Sequence, residues 1–385
     1  ASRHNRSNKF GASALDLHYL CPPKHVIDMA SKRNPSFEIL RVVAMFLIVV
    51  WHFLIHGIGN KPLGIADNAP ALFNLCSIEL IGCLSKISTN CYILISGYFL
   101  IASAAKWRKI PKTWMPIFFY SVVICIAFML FSGRHIGWER LGEAALPLLF
   151  DKYWFATRYV ALVALAPFLS IVAHNISRNQ YLTLLAILFV LNFNILLGQH
   201  LSGNNSMLWF IFLFYVGGYI RLHFKATGKN NFGKYYFLSA IVLAIFFQAK
   251  RFMLYSLHDA PFMIDYHDNN GIEFVTALCL FLWAARWKSP DTRFVRSMAR
   301  IAPFTFGVYL LHDNEFIRPL LWQSIHAKDF YDSWLFLPLL AASTATIFLC
   351  CIAIDAMRDR LFRLLRINGH IDAIADKLNR RFSKE

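Results

Sequence analysis

Apolar runs, each about long enough to cross a bilayer, follow one another from residue 39 to residue 355 of this 385-residue chain. A helix rising ~1.5 Å per residue needs roughly 20 apolar residues to span a hydrocarbon core about 30 Å thick. Such runs lie at 39–57, 71–101, 115–132, 154–174, 181–198, 206–222, 235–250, 271–287, 302–324 and 334–355. Backbone groups in lipid have no water to bond, so spanning runs of this kind must be helical. The expectation is an all-α, polytopic membrane bundle of about ten transmembrane helices. Only 16% of residues are charged, against about 25% in a soluble domain, so the chain has too little polar surface for water. The run at 71–101 is too long for one straight crossing, and the polar stretch from Lys86 to Asn90 marks where it breaks.

Positive charge orients the bundle, because Lys and Arg collect in cytoplasmic loops. With the N-terminus in the cytoplasm, 28 of the 39 Lys and Arg fall in segments on that side and 7 on the other. Arg41, Lys86, Arg158 and Arg318 make up the rest, inside the runs. This alternation places both termini in the cytoplasm. The net charge of +17 is scattered over many loops, which suits anionic lipid and topology and excludes a nucleic-acid site. Residues 1–34 read as a polar, basic cytoplasmic tail compatible with disorder and lacking a short cleavable signal. Residues 35–356 form the transmembrane domain, and 357–385 a basic amphipathic tail on the cytoplasmic face. The eight cysteines form no CxxC pair and no zinc-like spacing, so they read as small packing residues.

An ionisable group inside a span costs roughly 2.5–3.5 kcal/mol to insert and is by default a functional candidate. Arg41 and His52 stand eleven residues apart. Eleven steps of 100° leave them on one helix face, ~16 Å apart along the axis. Arg41 then lies at the cytoplasmic end and His52 near or beyond mid-membrane, with His56 one turn on. The 302–324 run repeats the logic and brings His312 to a similar depth, where Glu79 can meet both imidazoles. A lone buried histidine is more often a packing residue than a catalyst, and it is the face shared with Arg41 that lifts His52 above that reading. A metal held by His52, His56, His312 and Glu79 is the competing reading, although no ExxH-type set repeats across helices; no metal is expected. Asp313, Glu315 and Arg318 read as mutual ion pairs. Lys106, Arg108, Lys109 and Lys112 fill the loop after the second run, where topology alone would put cations and where a phosphorylated cytosolic ligand would also dock.

Several motifs resemble the integral-membrane acyltransferase-3 family, whose members include bacterial O-acetyltransferases of surface polysaccharides. The first run carries Phe37-Glu38-Ile39-Leu40-Arg41 and then Val49-Val50-Trp51-His52, similar to that family's Arg, ten residues, His signature. The second ends Ile95-Ser96-Gly97-Tyr98, the fourth opens Tyr153-Trp154-Phe155, and the ninth holds Tyr309-Leu310-Leu311-His312, all in the family's order. The resemblance covers about residues 34–355. It departs at Lys109-Ile110-Pro111-Lys112, where many members carry Arg-x-x-Arg, so charge is kept but the bidentate fork is lost.

The resemblance implies transfer of an acetyl group from cytosolic acetyl-CoA to a sugar hydroxyl of a surface glycan, such as O-antigen or capsule, in the bacterial cytoplasmic (inner) membrane. His52 would be the general base or a transient acyl carrier. Arg41 would hold coenzyme phosphate or keep His52 neutral, and His312 and Ser96 would orient substrate or stabilise the oxyanion. Arg41, Lys86, Lys109, Lys112 and Ser96 form the donor side. Glu79, Trp154 and Arg158 form the acceptor side. Partners are then acetyl-CoA, a free or lipid-linked glycan, and membrane lipid. The alternative is a polytopic transporter or flippase, whose intramembrane charges would serve a moving solute.

Overall fold

The computed structural model describes residues 34–58, 68–103, 108–133, 137–192, 206–224, 231–258 and 271–382. Among the described residues every regular element is a helix. Lys106 and the N-terminal tail lie outside the described residues.

The first helix shows why these segments start where they do. α1 (Pro35–His52) opens with the Asn34 side chain accepting from the Ser36 N–H, with proline at its first position and Glu38 in its first turn. Each of these satisfies or complements the unbonded N–H groups of a helix start. α1 ends in a π-helical turn, Phe53–Gly57, a form that is rare and found mostly at functional sites.

α2 (Ala69–Lys86) and α3 (Ser88–Leu100) divide the over-long second run at Ile87, inside the expected break. Ser85 Oγ donates to the Ile81 carbonyl at 2.6 Å, and Ser88 Oγ to the Ser85 carbonyl at 2.7 Å. The Ser85 carbonyl also accepts from the Ile87 N–H, so the Ser88 hydroxyl adds a second donor to it at the break.

The chain continues through α4 (Lys109–Phe131), the short α5 (Trp138–Ala145), α6 (Trp154–Asn175), α7 (Arg178–Asn192) and α8 (Met207–His223). Then follow α9 (Phe232–His258), α10 (Gly271–Arg286) and α11 (Arg293–Ile301). A 3₁₀ turn, Ala302–Phe304, leads into α12 (Thr305–His312), followed by α13 (Ile317–Ser324), α14 (Phe336–Leu364) and α15 (Ile367–Phe382).

Six segments are long and apolar enough to cross a membrane: Pro35–Gly57, Ala69–Leu100, Lys109–Phe131, Trp154–Asn175, Phe232–Lys250 and Phe336–Leu364. Met207–His223 is apolar but shorter. Outward-facing Leu130, Phe168, Ile245 and Leu349 are exposed, as lipid-facing side chains should be.

The expected ninth span, 302–324, is not one helix. It stops at His312 and restarts at Ile317. Pro319 is one cause: in a continuous helix its ring would strike the carbonyl of Glu315, and it has no N–H to offer. Asn314 is the other, because its Oδ1 accepts from the Phe316 N–H at 2.9 Å and so bonds the chain into a turn. The tenth run also differs, since α14 carries on past residue 355 to Leu364.

α1 occupies the middle of the bundle, against α2, α3, α10, α11, α12 and α14. Phe37, Ala44, Val49 and Phe53 are sealed from solvent along it. α3 and α8 cross closely because small residues meet there: a Cβ on Gly97 would overlap the Phe214 backbone, and one on Gly217 the Leu94 carbonyl. Tight crossings of this kind supply packing where lipid gives no hydrophobic drive.

Candidate active site

Two polar features lie along α1, separated by the eleven residues from Arg41 to His52, or ~16 Å of helix. The deeper one is a pair of imidazoles. His52 Nδ1 lies 2.8 Å from His312 Nε2, and both rings are buried. His312 Nδ1 lies 2.6 Å from the Val308 carbonyl.

These contacts assign the protons. A carbonyl only accepts, so His312 carries its proton on Nδ1. With both rings neutral, its Nε2 is then a lone pair and accepts from His52 Nδ1–H. His52 is left with a lone pair on Nε2, the ring nitrogen not engaged with His312. Its side chain keeps 10% of its surface open. The pair is therefore a base with a fixed tautomer.

The turn after α12 supplies the nearby carboxylate. Asp313 Oδ1 lies 3.8 Å from His52 Nδ1, 3.9 Å from His56 Nε2 and 3.3 Å from the Arg318 guanidinium. The Asp313–Arg318 ion pair is as expected, and Glu315 pairs instead with Lys152 at 2.9 Å. Breaking the ninth run is what turns Asp313 inward and places its carboxylate beside the imidazoles, while Glu79 is buried on α2. The possible metal ligands change accordingly. His52, His56 and Asp313 each bring one ligand atom within 4.8 Å of the others, while the Arg318 cation on the same carboxylate opposes a second cation there.

The second feature is a cavity of about 310 Å³ lined by Glu38, Arg41, Ser96, Tyr159, Thr305 and Phe306, among others. Arg41 forms an ion pair with Glu38 one turn away, and 29% of its side chain is open. Tyr92 donates to the Arg41 carbonyl at 2.9 Å. Ser96 Oγ donates to the Tyr92 carbonyl at 2.9 Å and lies 3.2 Å from the Tyr159 hydroxyl. Arg41 and Ser96, named from different runs, thus share one cavity.

The remaining candidates are dispersed. Lys86 Nζ sits over the Trp51 ring at 5.1 Å. That is the level of His52, ten residues and ~15 Å beyond Arg41, so Lys86 does not join a cluster at the cytoplasmic end. Lys109 donates to Ser103 Oγ at 3.0 Å, and Lys112 pairs with Asp372 of α15 at 2.8 Å. Arg158 pairs with Asp151 at 3.0 Å and covers the half-buried Trp154 ring at 6.0 Å. Tyr92, Phe155, Tyr159 and Thr305 line the cavity without having been singled out. Only the helix crossings bring them there, although Phe155 lies within the Tyr-Trp-Phe motif.

The chain matches the acyltransferase-3 family of acyltransferase domains over residues 34–356, most of its length. It belongs to that family and is a membrane acyltransferase. No curated protein and no solved structure matches it.

Proposed function

We propose that this protein transfers an acetyl group from cytosolic acetyl-CoA to a sugar hydroxyl of a surface glycan, from the bacterial cytoplasmic membrane. It would cross that membrane about ten times, with both termini in the cytoplasm. The observation carrying the reading is the oriented imidazole pair, ~16 Å along one helix from a cation-lined cavity.

A sugar hydroxyl is a weak nucleophile until its proton leaves. A neutral imidazole positioned to take that proton is worth typically 10²–10⁴-fold. His52 Nε2 is that base in this reading, and His312 holds its tautomer as the carboxylate of a catalytic triad does. As the acceptor oxygen bonds to the acetyl carbon, its proton passes to His52. When the C–S bond breaks, the proton goes on to the departing thiolate.

Arg41 receives the coenzyme's phosphates, displacing Glu38, and Ser96 lines the path of the acyl arm. Lys109 and Lys112 extend the cationic entry. The Lys112–Asp372 pair is partly exposed on both sides, and such pairs are worth only about 0–1 kcal/mol, so an incoming phosphate can replace it. The deeper Lys86 keeps the His52 region cationic. On the acceptor side, Glu79, Trp154 and Arg158 supply the carboxylate, ring and guanidinium that bind sugars.

The test is mass spectrometry of surface glycan from cells expressing wild-type protein or His52→Ala. One acetyl per repeat with the wild type and none with the variant is expected. An unmodified glycan with both, or full acetylation by a correctly inserted variant, refutes the reading.

A further inference from the structure

Between the cavity and the imidazoles lies a buried hydroxyl that the roles above leave unused. Tyr309 is 3% exposed, and its phenol oxygen has no hydrogen-bond partner among the described residues. Its neighbour Tyr153 shows how unusual this is: that hydroxyl donates to the Leu310 carbonyl at 3.1 Å and accepts from Asn314 Nδ2 at 2.7 Å. Nearly all buried polar groups are paired, and an unpaired one in a native protein calls for an explanation.

The position of the phenol supplies one. Phe306, Tyr309 and His312 are spaced three apart on α12 and form one ridge. Phe306 lines the cavity, and His312 holds His52. The Tyr309 ring packs edge-on against Phe155 at 5.7 Å and lies 6.3 Å from Phe306. The Tyr153 ring lies 6.0 Å from it on the other flank, so the phenol is set between the two side chains that open α6.

Phe155 is in the first turn of α6. Its N-cap residue, Tyr153, makes no side-chain cap to that helix. Its hydrogen-bond ladder begins only with the Thr157 N–H on the Tyr153 carbonyl at 2.9 Å. The N–H groups of Trp154, Phe155 and Ala156 precede it, and Tyr153, Phe155 and Ala156 are buried. An open helix N-terminus attracts negative charge, and this one is within the protein, beside the Tyr309 side chain, whose hydroxyl also lacks a partner among the described residues. The two Tyr153 bonds tie the start of α6 to α12, so both donors are held on one rigid frame.

The geometry points to an oxyanion site: the Tyr309 hydroxyl and the first-turn N–H groups of α6, Phe155 foremost, bind the carbonyl oxygen of the acyl thioester and hold its developing negative charge. The inference rests on the acyl-transfer reading above and adds the group that stabilises its tetrahedral intermediate. When the acceptor oxygen bonds to the acyl carbon, the carbonyl π pair moves onto oxygen, where these donors meet it. Collapse restores the carbonyl and expels the thiolate.

The test is Tyr309→Phe, which removes one oxygen and breaks no hydrogen bond, assayed with labelled acetyl-CoA in purified, monodisperse protein. Losing one oxyanion donor typically lowers turnover by about 10²–10³-fold. The expected result is a kcat drop of that order, with donor KM and melting temperature unchanged. A variant turning over as fast as wild type overturns the site. Wild-type protein that moves no acetyl overturns instead the reading beneath it. Difluorotyrosine at position 309 is the second variant. It keeps the hydroxyl and makes it a stronger donor, so turnover should stay at or above the wild-type rate. A loss as large as that of Tyr309→Phe also overturns the site.

Discussion

If His312 works by holding His52 in one tautomer, its replacement should show an effect bounded by a single hydrogen bond. In His312→Leu the His52 Nδ1–H loses an acceptor now 2.8 Å away, in a site where both rings are buried. Leaving a buried donor unsatisfied costs about 1–3 kcal/mol. The ring can escape that penalty by moving its proton to Nε2, which removes the base. At about 1.4 kcal/mol per factor of ten, turnover should fall roughly 5- to 150-fold. His312→Gln restores an acceptor and should recover most of the loss. His52→Ala removes the base itself and should cost about 10²–10⁴-fold. The double variant His52→Ala/His312→Leu should be no slower than His52→Ala alone, because groups acting as a unit are non-additive. The assay is acetyl transfer from labelled acetyl-CoA, normalised to the amount of folded protein. Losses that multiply, or a His312→Leu enzyme as fast as wild type, would refute the reasoning.

Three further outcomes are expected. Arg41→Ala should raise donor KM about 10- to 150-fold with a smaller change in kcat, since hydrogen bonds to charged groups are worth about 1.5–3 kcal/mol; steady-state kinetics with varied acetyl-CoA checks it. Asp355→Asn should lower the melting temperature sharply. Asp355 is fully buried, receives two bonds from Arg358 at 3.0 and 2.8 Å and one from Tyr120 at 2.8 Å, and breaking such a buried pair costs about 3–5 kcal/mol. Gly217→Ala should destabilise the bundle by about 1–3 kcal/mol, read as a lower melting temperature in detergent, because its Cβ would overlap the Leu94 carbonyl and force α8 away from α3.

How much of this was legible beforehand follows from the range of the forces involved. The helical, membrane-embedded character of the chain is written in run length and charge content, because the bilayer acts on each segment separately. The break near Ile87 was legible for the same reason, since a ~31-residue run cannot cross straight. The likeness of depth between His52 and His312 came from counting residues along two helices, and the structure brings the rings together. The interruption of the ninth run was readable in part, from Pro319, but its inward consequence was not.

Local periodicity states which residues share a helix face and at what depth. It does not state which helices are neighbours or how they are rotated, since packing between helices depends on residues far apart in the chain. For this reason Asp313, read from the sequence only as an ion-pair partner, meets the imidazoles, and Lys86 lies level with His52, against Trp51. The same reason leaves Lys112 bound to the C-terminal helix, and puts Tyr309 across from the open end of α6. Sequence alone determined a lipid-embedded helical chain with an arginine and a histidine on one face. Only the tertiary structure decided which groups surround them, because a buried polar atom takes the partners that the crossings of its helices bring within reach.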